Sequence, residues 1–180
     1  MDVMEQVILV DEFNKEIGVA DKATVHTSNT PLHRAFSLFL FDPHHQLLVT
    51  QRALTKKTFA GVWSNTMCGH VSPGETTVEA AHRRLKQELG ITASEIIEVA
   101  PYRYRFADQN GIVENEICPI LVAYSFAYPR PNYAEIAAWR WMPWVAFLAE
   151  IRSNPKTYSP WCIEEAQILE SKKLLKFAKK

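Results

Sequence analysis

No run of apolar residues in this chain is long enough to span a bilayer, and the opening stretch Met1-Asp2-Val3-Met4-Glu5 lacks the basic start of a targeting segment. Charge of one sign is missing too: twenty basic and twenty acidic residues give a formal net charge of zero. That balance removes any overall attraction to nucleic acid or to an anionic membrane, so an anion site must be local. Cysteine is scarce. Cys68, Cys118 and Cys162 are an odd number without close paired spacing, which argues against a disulfide framework and against a zinc ribbon. No internal repeat, low-complexity tract or linker interrupts the chain. These absences lead us to expect a soluble, unprocessed, cytoplasmic protein with neither nucleic acid nor membrane as partner. At 180 residues and 47% hydrophobic content the length suits one well-buried core, read as a single domain over residues 1–180.

What is present is organised by period. Residues 6–10 are a short β-branched run, and a polar turn over 11–15 leads to a second strand near 17–20, a hairpin. Residues 35–41 are apolar and aromatic, Asp42-Pro43-His44-His45 interrupts them, and residues 46–52 resume as a second hairpin with the better claim to the core. From Thr76 to Leu89 the period changes. Val78, Ala81, Leu85 and Leu89 share one helical stripe, Thr76-x-x-Glu79 is a capping box, and Gly90 stops the helix. Residues 97–106 and 112–126 read as strands joined by a turn around Asp108-Gln109-Asn110-Gly111. Residues 139–142 read as another strand, and 143–151 as a helix with Pro143 in its first turn. Ser159 caps the last helix with Pro160 behind it. Lys172, Lys173, Lys176, Lys179 and Lys180 lie at that helix's C-terminal end, a solvated end that complements the helix dipole rather than a docking patch. Strands and helices interleave without regular βαβ alternation, which predicts an α/β fold with a mixed sheet and helices on its faces.

Two carboxylates stand out. In Val113-Glu114-Asn115-Glu116-Ile117-Cys118-Pro119, alternation places Glu114 and Glu116 on one strand face beside Ile112, Cys118 and Ile120. Acids on an otherwise apolar face are costly to bury unpaired, and a metal, a proton or a cation is the usual remedy. Asn65-Thr66-Met67-Cys68-Gly69-His70 adds a thiol and an imidazole. Singly, each of these residues has an ordinary structural role: a small buried thiol, a hydrogen-bonded histidine, a solvated lysine. His44-His45 in a turn and His82 on a polar helix side keep that role, as do Cys118 and Cys162.

Gly69-x5-Glu75-x7-Arg83-Arg84-Leu85-x-Gln87-Glu88-Leu89-Gly90-Ile91 resembles the Nudix box, a loop-helix-loop that holds a diphosphate through magnesium. Arg84 and Gln87 stand where that box carries glutamates, so pyrophosphate hydrolysis loses two of its metal ligands. With Cys68-Gly69-His70 before it and Tyr104-Arg105 and Glu114-Asn115-Glu116 after it, the chain resembles the type 1 isopentenyl-diphosphate isomerases. The resemblance runs from His26-Thr27 and Leu32-His33, through Gln51-Arg52-Ala53-Leu54-Thr55-Lys56-Lys57, to Ser159-Pro160-Trp161. It implies a Nudix-like α/β/α sandwich.

By that resemblance His26, His33, His70, Glu114 and Glu116 surround one divalent ion. Mixed nitrogen and oxygen ligands suit zinc, manganese or iron, and suit magnesium less well. The resemblance further implies that Cys68 and Glu116 exchange protons with opposite faces of an alkene, with Tyr104 on the carboxylate and the Trp161 ring near the developing cation. Lys22, Arg52, Lys56 and Arg84 are implied to face the diphosphate, and Glu88 to hold a Mg2+ that bridges its oxygens. Trp161 alone reads equally as a tryptophan packed at a helix start, and Arg84 with Glu88 as a surface ion pair at i, i+4 spacing. The implied partner is a small isoprenoid diphosphate, and the implied assembly a monomer or homodimer. A Nudix-type diphosphate hydrolase and a non-catalytic Nudix-fold binding module are the competing readings.

Overall fold

The structure, a computed structural model, describes residues 5–175. Its strands are β1 (Gln6–Val10), β2 (Glu16–Asp21), β3 (His33–Phe41), β4 (Gln46–Arg52), β5 (Trp63–Ser64), β6 (Met67–His70), β7 (Ile96–Ala100), β8 (Arg103–Ala107), β9 (Val113–Ile117), β10 (Ile120–Tyr124) and β11 (Ile136–Pro143). Its helices are the single turn α1 (Lys22–Val25), then α2 (Thr77–Leu89), α3 (Trp144–Ser153) and α4 (Pro160–Ser171). The strands join one branched, mixed sheet in which β3 runs parallel to β9 and β10 and antiparallel to β1, β4 and β6.

The long strand β3 organises the molecule because it is buried on both faces. Ala35, Phe39 and Phe41 belong to a core with Trp144, Phe147 and Ile151 of α3 and Trp161, Cys162 and Ala166 of α4. Phe36, Leu38 and Leu40 point the other way, into a core with Ala80, Ala81, Leu85 and Leu89 of α2. A strand covered on both sides reads as a continuous apolar run, as residues 35–41 do, and the result is a helix–sheet–helix sandwich. Helix α2 has the expected ends. Thr76 and Glu79 form the reciprocal capping box, and Gly90 closes the helix at φ 64° with its N–H on the Lys86 carbonyl. A Cβ on Gly90 would also stand 3.1 Å from Arg130 Cβ, so side chains are disfavoured there on both counts. Truncating fully buried Leu85 to alanine would cost about 2–5 kcal/mol.

Several boundaries differ from the expectations, each for a local reason. The strand expected over 112–126 is two strands, because Pro119 has no N–H to give a ladder; its carbonyl instead accepts from Ser37 N. Pro101 likewise divides 97–106 into β7 and β8. The strand expected over 139–142 extends to Ile136–Pro143, so Pro143 ends β11 and caps α3 rather than entering its first turn. Ser159 stands at the N-cap of α4 but its hydroxyl is shared with Ser64 Oγ at 2.8 Å instead of capping. Of the terminal lysines, Lys172 is the C-cap of α4, whereas Lys176, Lys179 and Lys180 lie outside the described residues. Among the described residues no helix is long and apolar enough to cross a membrane.

Candidate active site

Strand register brings the histidines and carboxylates together. His33 opens β3 and pairs with Glu116 of β9, while two residues on, Ala35 pairs with His70 at the end of β6. His26 follows the turn α1, which Asp21 caps through Ala23 N. The three imidazole centroids are 5.0–5.3 Å apart. One donor atom from each of His26, His33, His70, Glu114 and Glu116 falls within 4.8 Å of all the others.

The detailed contacts have the character of a ligand shell. His33 Nε2 lies 3.2 Å and His70 Nε2 3.1 Å from Glu116 Oε1, and His26 Nε2 lies 3.1 Å from Glu114 Oε2. Yet His26 Nε2 and His33 Nε2 are buried without an aligned hydrogen bond, so proximity and direction disagree. His70 Nε2 does hydrogen-bond Glu116 Oε1, whereas the want of a bond at His26 and His33 fits nitrogens turned toward a common centre rather than toward the carboxylates. His33 Nδ1 lies 2.9 Å from the Pro31 carbonyl, which can only accept, so Nδ1 carries a hydrogen and Nε2 is the nitrogen whose lone pair a metal would take from the neutral ring. This group is a site able to hold a divalent metal ion.

Electrostatics follow from burial and these partners. Burial pushes the His70 pKa down to about 4 despite the adjacent Glu116, leaving a neutral ring at pH 7. Burial alone would raise the Glu116 carboxyl, but the contacts with His33 and His70 outweigh it and hold the group well below the usual carboxylate range. Tyr104 Oη donates to Glu116 Oε2 at 2.6 Å, and Thr58 donates to Glu114. Burial raises the Cys68 thiol above its ordinary range, so sulfur carries its proton at neutral pH.

These groups open on a cavity of about 540 Å³ whose lining includes Cys68, Tyr104, Glu114, Glu116, His26 and His70. Strands β6 and β10 both pair with β3 at Ser37 and therefore occupy its opposite edges. Cys68 arrives from the β6 edge, and Glu116, on β9 leading into β10, from the other. Lys22, Arg52, Lys56, Arg84 and Trp161 line the same cavity. The Trp161 ring stacks on Tyr104 at 5.5 Å, and the Arg52 guanidinium lies 5.6 Å from its centroid. Lys22 is paired with Glu5 and Lys56 with Glu135.

Glu88 stands apart from the five clustered residues and lines a small second cavity that also touches Arg52, Lys56 and Cys68. Its Oε1 is 2.5 Å from an Arg84 nitrogen, and that pair is buried rather than the surface ion pair its spacing also permits. His44, His45 and His82 stay outside the cluster. Sequence reasoning did not single out Thr58, or Asn65, Ser37 and Glu165 behind the thiol. Cys68 Sγ lies 3.3 Å from Ser37 Oγ and 3.4 Å from Asn65 Oδ1. The available signal was Ser37 itself, a lone hydroxyl in the apolar run of β3.

Comparison with known proteins places the chain. The NUDIX domain model matches residues 31–162. A Saccharopolyspora erythraea isopentenyl-diphosphate Delta-isomerase is 48% identical over 169 residues, covering 93% of this chain and 87% of that protein. The Klebsiella pneumoniae isopentenyl-diphosphate Delta-isomerase is 42% identical over 172 residues, covering 95% and 94%. Among solved structures, DR0079 from Deinococcus radiodurans superposes with a TM-score of 0.74 at 20% identity, over 91% of this chain and 98% of that one. A MutT protein from Methanosarcina mazei gives 0.65 at 18% identity, over 79% and 96%. The structural matches speak for the sandwich alone, whereas the curated relatives add the chemistry: the chain belongs to the isopentenyl-diphosphate Delta-isomerase family within the NUDIX domain proteins.

Proposed function

We propose that this protein interconverts isopentenyl diphosphate and dimethylallyl diphosphate by adding a proton to one alkene carbon and removing another from the allylic position. The observation that carries the reading is a thiol and a carboxyl group reaching one cavity from opposite edges of β3. An unactivated alkene is a weak base, and its protonation creates a tertiary cation that water would capture, so acid and base must flank a dry space. Cys68 and Glu116 fill those roles. Tyr104 holds the Glu116 carboxylate through its hydroxyl and, stacked with Trp161, supplies aromatic surface near the cation, worth about 2 kcal/mol when desolvated.

His26, His33, His70, Glu114 and Glu116 would hold manganese, zinc or magnesium, with nitrogen ligands favouring the first two. When bound, that ion supplies positive charge that fixes Glu116 and lowers its affinity for a proton. Lys22, Arg52, Lys56 and Arg84 bind the diphosphate, the carboxylates now paired with Lys22, Lys56 and Arg84 yielding to phosphate oxygens, and Glu88, in a small cavity that shares Arg52 and Lys56 with the main one, would hold the accompanying Mg2+.

The test is incubation with isopentenyl diphosphate, magnesium and manganese in heavy water. Deuterium in dimethylallyl diphosphate is the expected result. Release of phosphate or pyrophosphate instead would establish a hydrolase, and bound but unlabelled isopentenyl diphosphate would establish a binding module.

A further inference from the structure

Behind Cys68 a carboxyl group is buried that the isomerase reading leaves without a task. Glu165 of α4 is fully buried, and its Oε2 lies 2.6 Å from Ser37 Oγ. Its Oε1 has no hydrogen-bond partner. Among the described residues no lysine, arginine or histidine forms an ion pair with it. The ionisable groups that face it are Cys68 and Cys162, Cys118, Tyr102, Glu116 and Glu164, none of them cationic. A carboxylate so placed would be an uncompensated buried charge, whereas a carboxylic acid leaves only one neutral oxygen unpaired.

Ser37 transmits the difference. Its hydroxyl has one hydrogen and two lone pairs, and its neighbours are Glu165, Cys68 and the Asn65 amide, whose Nδ2 donates to it at 2.8 Å. The Asn65 orientation is set by the Leu38 and Met67 carbonyls, 2.9 and 3.2 Å from the same nitrogen. Were Glu165 ionised, it would take the only Ser37 hydrogen and leave the sulfur unsupported. As an acid it donates to Ser37 Oγ and releases that hydrogen toward Cys68 Sγ. We propose that Glu165 is a positioning residue for Cys68: a buried neutral acid that turns the Ser37 hydroxyl onto the sulfur. The task rests on the isomerase reading. While the proton resides on the substrate carbon, sulfur carries negative charge, and the Ser37 O–H then supports it with no second anion beside it. Burial favours the same state of Glu165, since it pushes this carboxyl well above its ordinary range.

Infrared difference spectra and kinetics test this, using the full chain with manganese and magnesium. The wild type should show a protonated-acid C=O band at neutral pH that is lost in Glu165→Gln and shifted in Ser37→Ala. In Glu165→Gln the amide still donates to Ser37, so kcat should stay within about threefold of wild type. Glu165→Leu and Ser37→Ala lose the donor chain, so kcat should fall about ten- to hundredfold with KM unchanged. The double variant Ser37→Ala/Glu165→Leu should be no slower than the slower single variant. No band difference between wild type and Glu165→Gln would overturn the proposal, as would a Glu165→Gln enzyme as slow as Glu165→Leu, or full additivity in the double variant. If Glu165→Leu does not fold, the Ser37→Ala and Glu165→Gln arms still decide. The infrared arm needs no substrate, so an inactive wild type would reject the isomerase reading while the Glu165 arrangement is judged separately.

Discussion

Glu116 and Glu165 are two buried carboxyl groups within one site, and they are held in opposite states. Both lose water, which by itself raises a carboxyl pKa. Around Glu116, His33, His70 and Tyr104 converge, and its pKa is driven well down. Around Glu165 there is one serine hydroxyl and otherwise thiols, a phenol and other acids, and its pKa is driven well up. Depth is the same in the two places and partners differ. The sheet thus keeps an ionised base on one edge of β3 and a neutral, proton-bearing environment on the other, which is the asymmetry a proton-shuttling isomerisation requires.

The largest expected effect breaks the asymmetry at the two groups proposed to exchange protons with the substrate. Cys68→Ala and Glu116→Gln should each lower kcat by about 10²–10⁴-fold, the usual contribution of a positioned acid or base, without loss of the folded state by circular dichroism. Near-normal turnover in either variant would reject the role assigned to that residue. A smaller loss should follow His33→Ala, which removes one imidazole from Glu116 and one of the five side chains able to hold a metal ion. Manganese affinity, read from the free-ion paramagnetic resonance signal, should weaken by at least the ~10–100-fold that outer-shell changes cost. Unchanged affinity would mean that the ion binds elsewhere. Tyr104→Phe sharpens the comparison further, since it deletes one donor to Glu116 and keeps the ring. About a tenfold fall in kcat at constant KM is expected, and a change confined to KM would assign Tyr104 to substrate binding instead.

Much of this arrangement was legible in the chain because its signals are local. The capping box Thr76/Glu79 and the stop at Gly90 are decided within one turn, and the same-face pair Glu114/Glu116 within three residues. The apolar run over 35–41 announced a strand covered on both sides. Strands β5 and β6 are two and four residues long, too short to display a period, and so the strand that carries Cys68 and His70 was read only as a motif. Pro101 and Pro119 cut strands that alternation alone would continue. The hidden part is the network behind the thiol. Ser37 and Glu165 are 128 residues apart, and Thr58 and Glu114 are 56 apart, so these contacts exist only after the sheet has formed. Glu165 in sequence is one more acid on a terminal helix; burial by β3 is what changes its chemistry.

The effect that bears least on turnover, and the most diagnostic of the contrast, is the pH dependence of stability. Glu165 has a folded-state pKa raised above its unfolded value, so its favourable contribution is complete below the ordinary carboxyl pKa of 4.5. As pH rises past that value the unfolded chain gives up the proton and the folded protein keeps it, so stability falls until the folded group ionises in its turn. The slope is at most about 1.4 kcal/mol per pH unit for one group. Glu165→Gln removes that slope. Urea midpoints of wild type and Glu165→Gln, measured with chelator present to remove metal effects, should therefore converge near pH 4 and diverge toward pH 8, with the glutamine variant the more stable at high pH. Glu116 has the opposite sign: its depressed pKa gives stability that is present above 4.5 and lost as pH falls, so Glu116→Gln should differ from wild type most on the neutral side and approach it in acid. At high pH the two amide substitutions thus shift stability in opposite directions, Glu165→Gln upward and Glu116→Gln downward. Shifts of the same sign there would show that burial rather than partnership governs both carboxyls.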